Sequence, residues 1–156
     1  MDKSLLTEML SGRVTIACVG NEMRGDDGIG PFIAGLITPS ERVKVVNCGE
    51  TPENFLGVIT RTSPEKVVIV DSAQFRGKPG EIRMIDKDSI EGGGFSTHDA
   101  ILTLFANYIE EQTGAKTYFL AIQPKRAEVG EGLSPEIEKV AREIAGAINS
   151  LTGEST

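Results

Sequence analysis

The sequence predicts an α/β domain with a mostly parallel sheet, on two observations. Short, nearly unbroken apolar runs of β-branched residues alternate with segments that carry helix-start signals. Each such run ends in a glycine, an acid or a proline, as buried parallel strands do where they leave a sheet. Val14 to Val19 is the first run and ends at Gly20. Gly28 to Ile37 reads as a helix, with Pro31 tolerable in its first turn. Val43 to Val46 is a second strand, closed by Asn47-Cys48-Gly49. Thr51, Pro52 and Glu53 then supply an N-cap, a first-turn proline and an acid for a helix to about Arg61. Lys66 to Val70 is a third strand, ending at Asp71, and Glu81 to Ile85 a fourth. Ser96 or Thr97 caps a long helix to about Gln112, closed by Gly114. Thr117 to Ile122 is a fifth strand, and Ser134-Pro135-Glu136 opens a final helix to about Ser150. These alternations give five strands with helices on both faces, a three-layer αβα arrangement in one domain over residues 1–156. One link departs from the pattern. Asp71 to Gly80 is too short for a parallel crossover, which needs about a dozen residues or more. The fourth strand is therefore expected to run antiparallel to the third, at or near an edge. The segment Glu91-Gly92-Gly93-Gly94-Phe95 is expected to be a mobile loop.

Composition narrows the chemistry. With 16 basic against 23 acidic side chains the net charge is −7, which argues against a nucleic-acid or polybasic membrane surface. No apolar run is long enough to span a membrane, and Met1 to Arg13 lacks a signal-peptide stretch, so a cytoplasmic protein is expected. Nothing marks an obligate dimer surface, so a monomer is expected. A single histidine, His98, excludes two-histidine metal sites, and two cysteines, Cys18 and Cys48, exclude a four-cysteine zinc knuckle. Cys18 reads as a buried thiol.

The residues suited to chemistry gather at one predicted rim. Ligands of open parallel sheets bind beyond the carboxyl ends of the strands, where strand order reverses. Asp71 ends the third strand, Asp26 and Asp27 lie in the loop leaving the first, and His98 stands near the start of a returning helix. Two carboxylates and one imidazole with open positions suit a borderline divalent ion such as nickel or zinc. Each has a plainer reading: Asp71 as a turn former, Asp26 or Asp27 as a cap of the helix beginning near Gly28, His98 as a surface residue. The glycine-rich loop Gly20 to Gly30 matches neither dinucleotide nor Walker patterns, and Glu22, Asp26 and Asp27 would repel phosphate. There is no nucleophile elbow, and Asp71-Ser72-Ala73 is one imperfect aspartic-protease-like motif without a second copy.

Several ordered blocks carry a family resemblance. Cys18-Val19-Gly20-Asn21 through Gly25-Asp26-Asp27-Gly28-Ile29-Gly30-Pro31 resembles the opening signature of the [NiFe]-hydrogenase maturation endopeptidases, above all those serving hydrogenase 3 and similar enzymes. The match continues through Thr51-Pro52-Glu53-Asn54, Ile69-Val70-Asp71, Pro79 to Asp86, Ser96-Thr97-His98 and Ala121-Ile122-Gln123-Pro124. The resemblance implies a phosphorylase/hydrolase-like αβα fold. It implies an endopeptidase, aspartic-type or metal-assisted, that removes a C-terminal extension from the large-subunit precursor of a hydrogenase once nickel is inserted. It maps the catalytic and metal-contacting residues onto Asp27, Asp71 and His98, with the nickel held by the precursor and no permanent cofactor. Asn47-Cys48-Gly49-Glu50 stands where many relatives carry an Asp-Gly-Gly-Thr-like segment linked to substrate selectivity. Gly49 is retained, which keeps close backbone approach to substrate open there. The competing readings are a small nickel-binding chaperone without catalysis and a nucleotide-binding regulator.

Overall fold

In the computed structural model, residues 1–86, 97–130 and 132–153 are described, without the side chains of 97–99. Five strands form one sheet: β1 (Val14–Val19), β2 (Val43–Gly49), β3 (Lys66–Ser72), β4 (Ile82–Asp86) and β5 (Lys116–Ile122). Their spatial order is β2-β1-β3-β5-β4, with every contact parallel except β4 on β5. The three-layer expectation holds. The fourth strand is at an edge and reversed in direction, but its hydrogen-bonded neighbour is β5 and not β3. The reason is that β5 enters beside β3, pairing Lys66 with Lys116 through Ser72 with Ile122, so the short link after β3 must pass over the end of β5. Two backbone bonds pin that link to β5's end, Ala73 N–H to the Ile122 carbonyl and Gly80 N–H to the Gln123 carbonyl.

Alternation along the strands divides the core in two. Ile16 and Cys18, Val68 and Val70, and Tyr118, Leu120 and Ile122 face one side with α1 (Lys3–Met9), α2 (Ile29–Ala34) and α5 (Pro135–Thr152). Ala17 and Val19, Val67 and Ile69, and Phe119 face the other with α3 (Leu56–Arg61) and α4 (Thr97–Thr113). Both sides of β1 are closed, which is why its sequence shows no polar alternation. In α5, Ile137, Ala141, Ile144, Ala145 and Ile148 repeat at helical spacing and are all buried. Full burial of each isoleucine side chain stabilises by roughly 1.5–3 kcal/mol.

The helix starts differ from the sequence reading in detail. The segment before α2 is a 3-10 turn, Gly25–Gly28, so that helix is shorter than expected. Thr51 precedes a 3-10 turn, Pro52–Phe55, and makes no side-chain cap. Ser134 stands at the α5 cap position without capping through its hydroxyl. The amino-terminal helix α1 was not expected. Its signal is present in Asp2, whose carboxylate accepts the Leu5 N–H at 3.1 Å, and in buried Leu6 and Met9. The loop Glu91 to Phe95, Ser96 and the α4 cap lie outside the described residues. Among the described residues no helix is long and apolar enough to cross a membrane.

Candidate active site at the carboxyl edge of the sheet

The strand order places a reversal between β1 and β3. The chain leaves β1 on the α2 side to reach β2 at one edge, then crosses on the α3 side to β3 beyond β1. The loop after β1 and the end of β3 therefore flank the position where open α/β sheets hold ligands. Both predicted acids are there. Asp71 is the penultimate residue of β3, 4% exposed, and directly opposite Ala121 of β5. Asp27 lies in the 3-10 turn beside it and is half-buried.

A hydroxyl joins the two strand ends. Ser72 follows Asp71 on β3, and its Oγ donates to Asp27 Oδ1 at 2.7 Å. Asn21 N–H is shared between the Asp27 carbonyl at 3.0 Å and Asp27 Oδ2 at 3.2 Å. Asp27 N–H donates in turn to the Arg24 carbonyl. The Asp27 carboxylate is thus held at both oxygens, and each oxygen keeps a further lone pair for a cation or a water proton.

Asp26 does something else. It is fully buried and accepts four hydrogen bonds: the N–H groups of Lys125, Arg126 and Ser134, and the Ser134 hydroxyl, at 2.6 to 3.0 Å. These partners set Asp26 apart from Asp27. Asp26 fastens the 125–134 loop and the start of α5, and its lone pairs are occupied within the protein. Neither acid caps α2, contrary to the plainer reading.

The glycines of this loop serve self-packing. A Cβ on Gly20 would lie 2.1 Å from the Asp27 carbonyl oxygen, and one on Gly30 would lie 2.1 Å from that of Val19. Gly20 also has φ +153, within the range that side chains rarely adopt. Both glycines stand where backbone meets backbone within the loop.

At the end of β2, Gly49 has φ +55, and a Cβ there would meet nothing within 4 Å. The left-handed backbone explains the glycine, and the space beside it is open. Gly20 N–H donates to the Gly49 carbonyl at 2.8 Å, and Asn21 Nδ2 donates to Glu50 Oε2 at 2.6 Å. Glu50, one of the departures from the related segment, thus ties the β2 end to the loop carrying Asp27. The bulge at Cys48 accommodates this, since Cys18 pairs with Asn47 but Val19 pairs with Gly49.

The cysteines are not nucleophiles. Both are buried free thiols. Burial pushes the Cys18 thiol up strongly, with Cys48 and Asp71 adding to the shift, and burial pushes Cys48 up to about 12.

His98 belongs to the first turn of α4, and its side chain lies outside the described residues. The helix packs on α3 and on the 3-10 turn that follows β2. Connected to β5 by only Gly114 and Ala115, it must run back along the sheet, which puts its first turn toward the carboxyl edge. Among the described residues no three His, Cys, Asp or Glu side chains form a metal-holding group. A cavity of about 430 Å³ opens on the outer side of the β1–α2 loop, lined by Glu22, Met23, Phe32 and Leu133, with Asp71 and Ser72 outside its lining. Two acids held at one strand end, and not cavity size, mark the candidate site. Ser72 and Asn21 were missed as site residues from sequence, although Ser72 adjoins Asp71 and Asn21 lies within the resembling block.

Comparisons with known proteins bear on the fold and the family. Residues 33–151 match the family model described as HycI: Hydrogenase maturation protease. The Hydrogenase 3 maturation protease of Escherichia coli K12 is 38% identical over 112 residues, covering 70% of this chain and 71% of that protein. The crystal structure of a [NiFe] hydrogenase maturation protease HycI from Thermococcus kodakarensis KOD1 superposes with a TM-score of 0.82 at 31% identity, covering 96% and 99% of the two chains. The solution structure of the endopeptidase HycI from Escherichia coli gives 0.77 at 28%, covering 90% and 92%. Fold and matches together define an α/β protein of the maturation-protease type. The chain belongs to the hydrogenase maturation protease family, and it is a peptidase.

Proposed function

We propose that this chain is an endopeptidase that removes the C-terminal extension from the nickel-loaded large-subunit precursor of a [NiFe] hydrogenase. The observation that carries the reading is the meeting of Asp27, tethered through Ser72, with the Asp71 strand end at the reversal of strand order. The matched relatives are maturation proteases by name, which supports the substrate class.

The substrate's nickel, held by precursor thiolates, offers open positions to Asp27, Asp71 and His98. Carboxylate and imidazole are suitable donors for such an ion, and three of them leave coordination positions free. Engagement registers the precursor's tail in the cleft beside Gly49, where an added side chain is absent and space is open. A precursor without nickel lacks this anchor, so the metal acts as a checkpoint. Hydrolysis adds water across the scissile amide: a C–O bond forms, the C–N bond breaks, and the water's proton passes by way of a carboxylate to the leaving amine. Both thiols stay protonated and take no part. The enzyme works as a monomer in the cytoplasm without a cofactor of its own.

The test is incubation of the purified chain with nickel-loaded and nickel-free precursor. Cleavage is expected of the loaded form alone, and Asp27→Ala, Asp71→Ala and His98→Ala are each expected to abolish it. Normal cleavage by all three variants would overturn the site.

A further inference from the structure

We propose that Ser72 is a positioning residue that fixes the Asp27 carboxylate at the end of β3, so that one strand end presents both acids. The inference rests on the reading of Asp27 and Asp71 as nickel contacts and goes beyond it, since it concerns what holds them in register. Asp27 is carried by an eight-residue loop, Gly20 to Asp27, whose backbone alone does not tie it to β3. The tie is the Ser72 hydroxyl, 2.7 Å from Asp27 Oδ1, the short distance of a charge-assisted O–H···O bond. The other donor to this carboxylate, Asn21 N–H, is longer at 3.2 Å and shared with the Asp27 carbonyl. Ser72 therefore holds the better-formed of the two bonds. Ser72 is only 8% exposed, so water replaces the bond poorly.

Position on the strand makes the tie specific. Asp71 and Ser72 are adjacent, so their side chains leave β3 on opposite sides. Asp71 belongs to the side covered by α3 and α4, and Ser72 to the side of α2 with its preceding turn. The strand end thus supplies one acid directly on one side and grips the second by a hydroxyl on the other. A hydroxyl has one proton to donate, and giving it to Oδ1 restrains rotation of the carboxylate about its Cβ–Cγ bond. Partners of metal-binding groups act in this way, and their loss commonly weakens metal affinity about 10- to 100-fold.

The experiment titrates Ni²⁺ into the precursor-free full chain and follows the backbone amide NMR signals of residues 26–28 and 70–72. Processing of the nickel-loaded precursor is measured in parallel. Ser72→Ala should weaken Ni²⁺ binding roughly 10-fold or more and lower kcat. The near-isosteric pair Ser72→Thr and Ser72→Val separates the hydroxyl from packing, and only the Thr variant should restore both readouts. A merely structural serine would leave Ni²⁺ affinity equal in Thr and Val variants of similar melting temperature, and that result would overturn the proposal. Asp27→Asn serves as the reference. If it abolishes nickel binding while Ser72→Val does not weaken it, the positioning role alone falls. If Asp27→Asn binds and cleaves normally, the reading of the site falls with it.

Discussion

The loop between β1 and α2 has two sides, and adjacent aspartates serve them differently. On the outer side Asp26 is sealed from water and saturated by four donors from the 125–134 region. On the inner side Asp27 is half-buried, held by Ser72 and Asn21, and retains acceptor capacity toward the rim. A carboxylate with all its partners inside the protein is a fastening. A carboxylate held but not saturated keeps lone pairs for a further partner. The difference shows that residue type and spacing do not tell the two acids apart, whereas the partners of each oxygen do.

Substituting each acid in turn breaks this comparison most sharply. Asp27→Ala should reduce precursor processing by roughly 100-fold or more in an end-point cleavage assay, with the thermal melting temperature only modestly lowered. Asp26→Ala should do the reverse. Leaving several buried donors without an acceptor costs about 3 kcal/mol or more, read by chemical denaturation, and any loss of processing should follow the loss of folded protein. Equal loss of stability in both variants would erase the distinction.

Smaller effects sharpen it along the neighbouring strand ends. Gly49→Ala places a side chain in open space but in left-handed backbone, so it should cost about 1–2 kcal/mol and raise KM for the precursor more than it lowers kcat. Glu50→Ala removes an exposed contact to Asn21. Its stability change should stay within about 1 kcal/mol, and a change in preference among hydrogenase precursors is the informative readout. Least visible near neutral pH is the effect of the thiols. Folding holds Cys48 protonated up to about pH 12, against an ordinary value of 9.0. Above pH 9 the unfolded chain binds fewer protons than the folded one, so stability is lost as pH rises from about 9 toward 12. Cys48→Ala should flatten that decline in denaturation curves measured across the range.

Much of the architecture is legible in the residues because burial on both faces leaves a direct trace. Val14 to Val19 and Lys66 to Val70 have no polar face to alternate, and the parallel strands followed from them. The antiparallel edge strand followed from a link too short to cross over. Its partner did not follow, because which strand enters between β3 and β4 is a long-range choice that no local spacing encodes. Of the candidate site, the rim and its acids were legible as strand-end residues, and the family resemblance singled out Asp27. The roles of Ser72 and Asn21 were not, since a serine after an aspartate gives no sign of the partner that meets it from 45 residues away. His98 and the glycine-rich segment before it fall where the sequence still speaks alone.

By itself, then, the sequence determined the layers, the buried strands, the edge at which the candidate acids stand and the family. These rest on local patterns of apolar spacing, turn residues and motif order. Only the tertiary structure decided which of two neighbouring carboxylates is consumed by the fold and which is left able to act. Hydrogen-bond saturation depends on donors brought from Lys125, Arg126 and Ser134 on one side and Ser72 on the other. Those donors become neighbours only when the sheet closes around its reversal point.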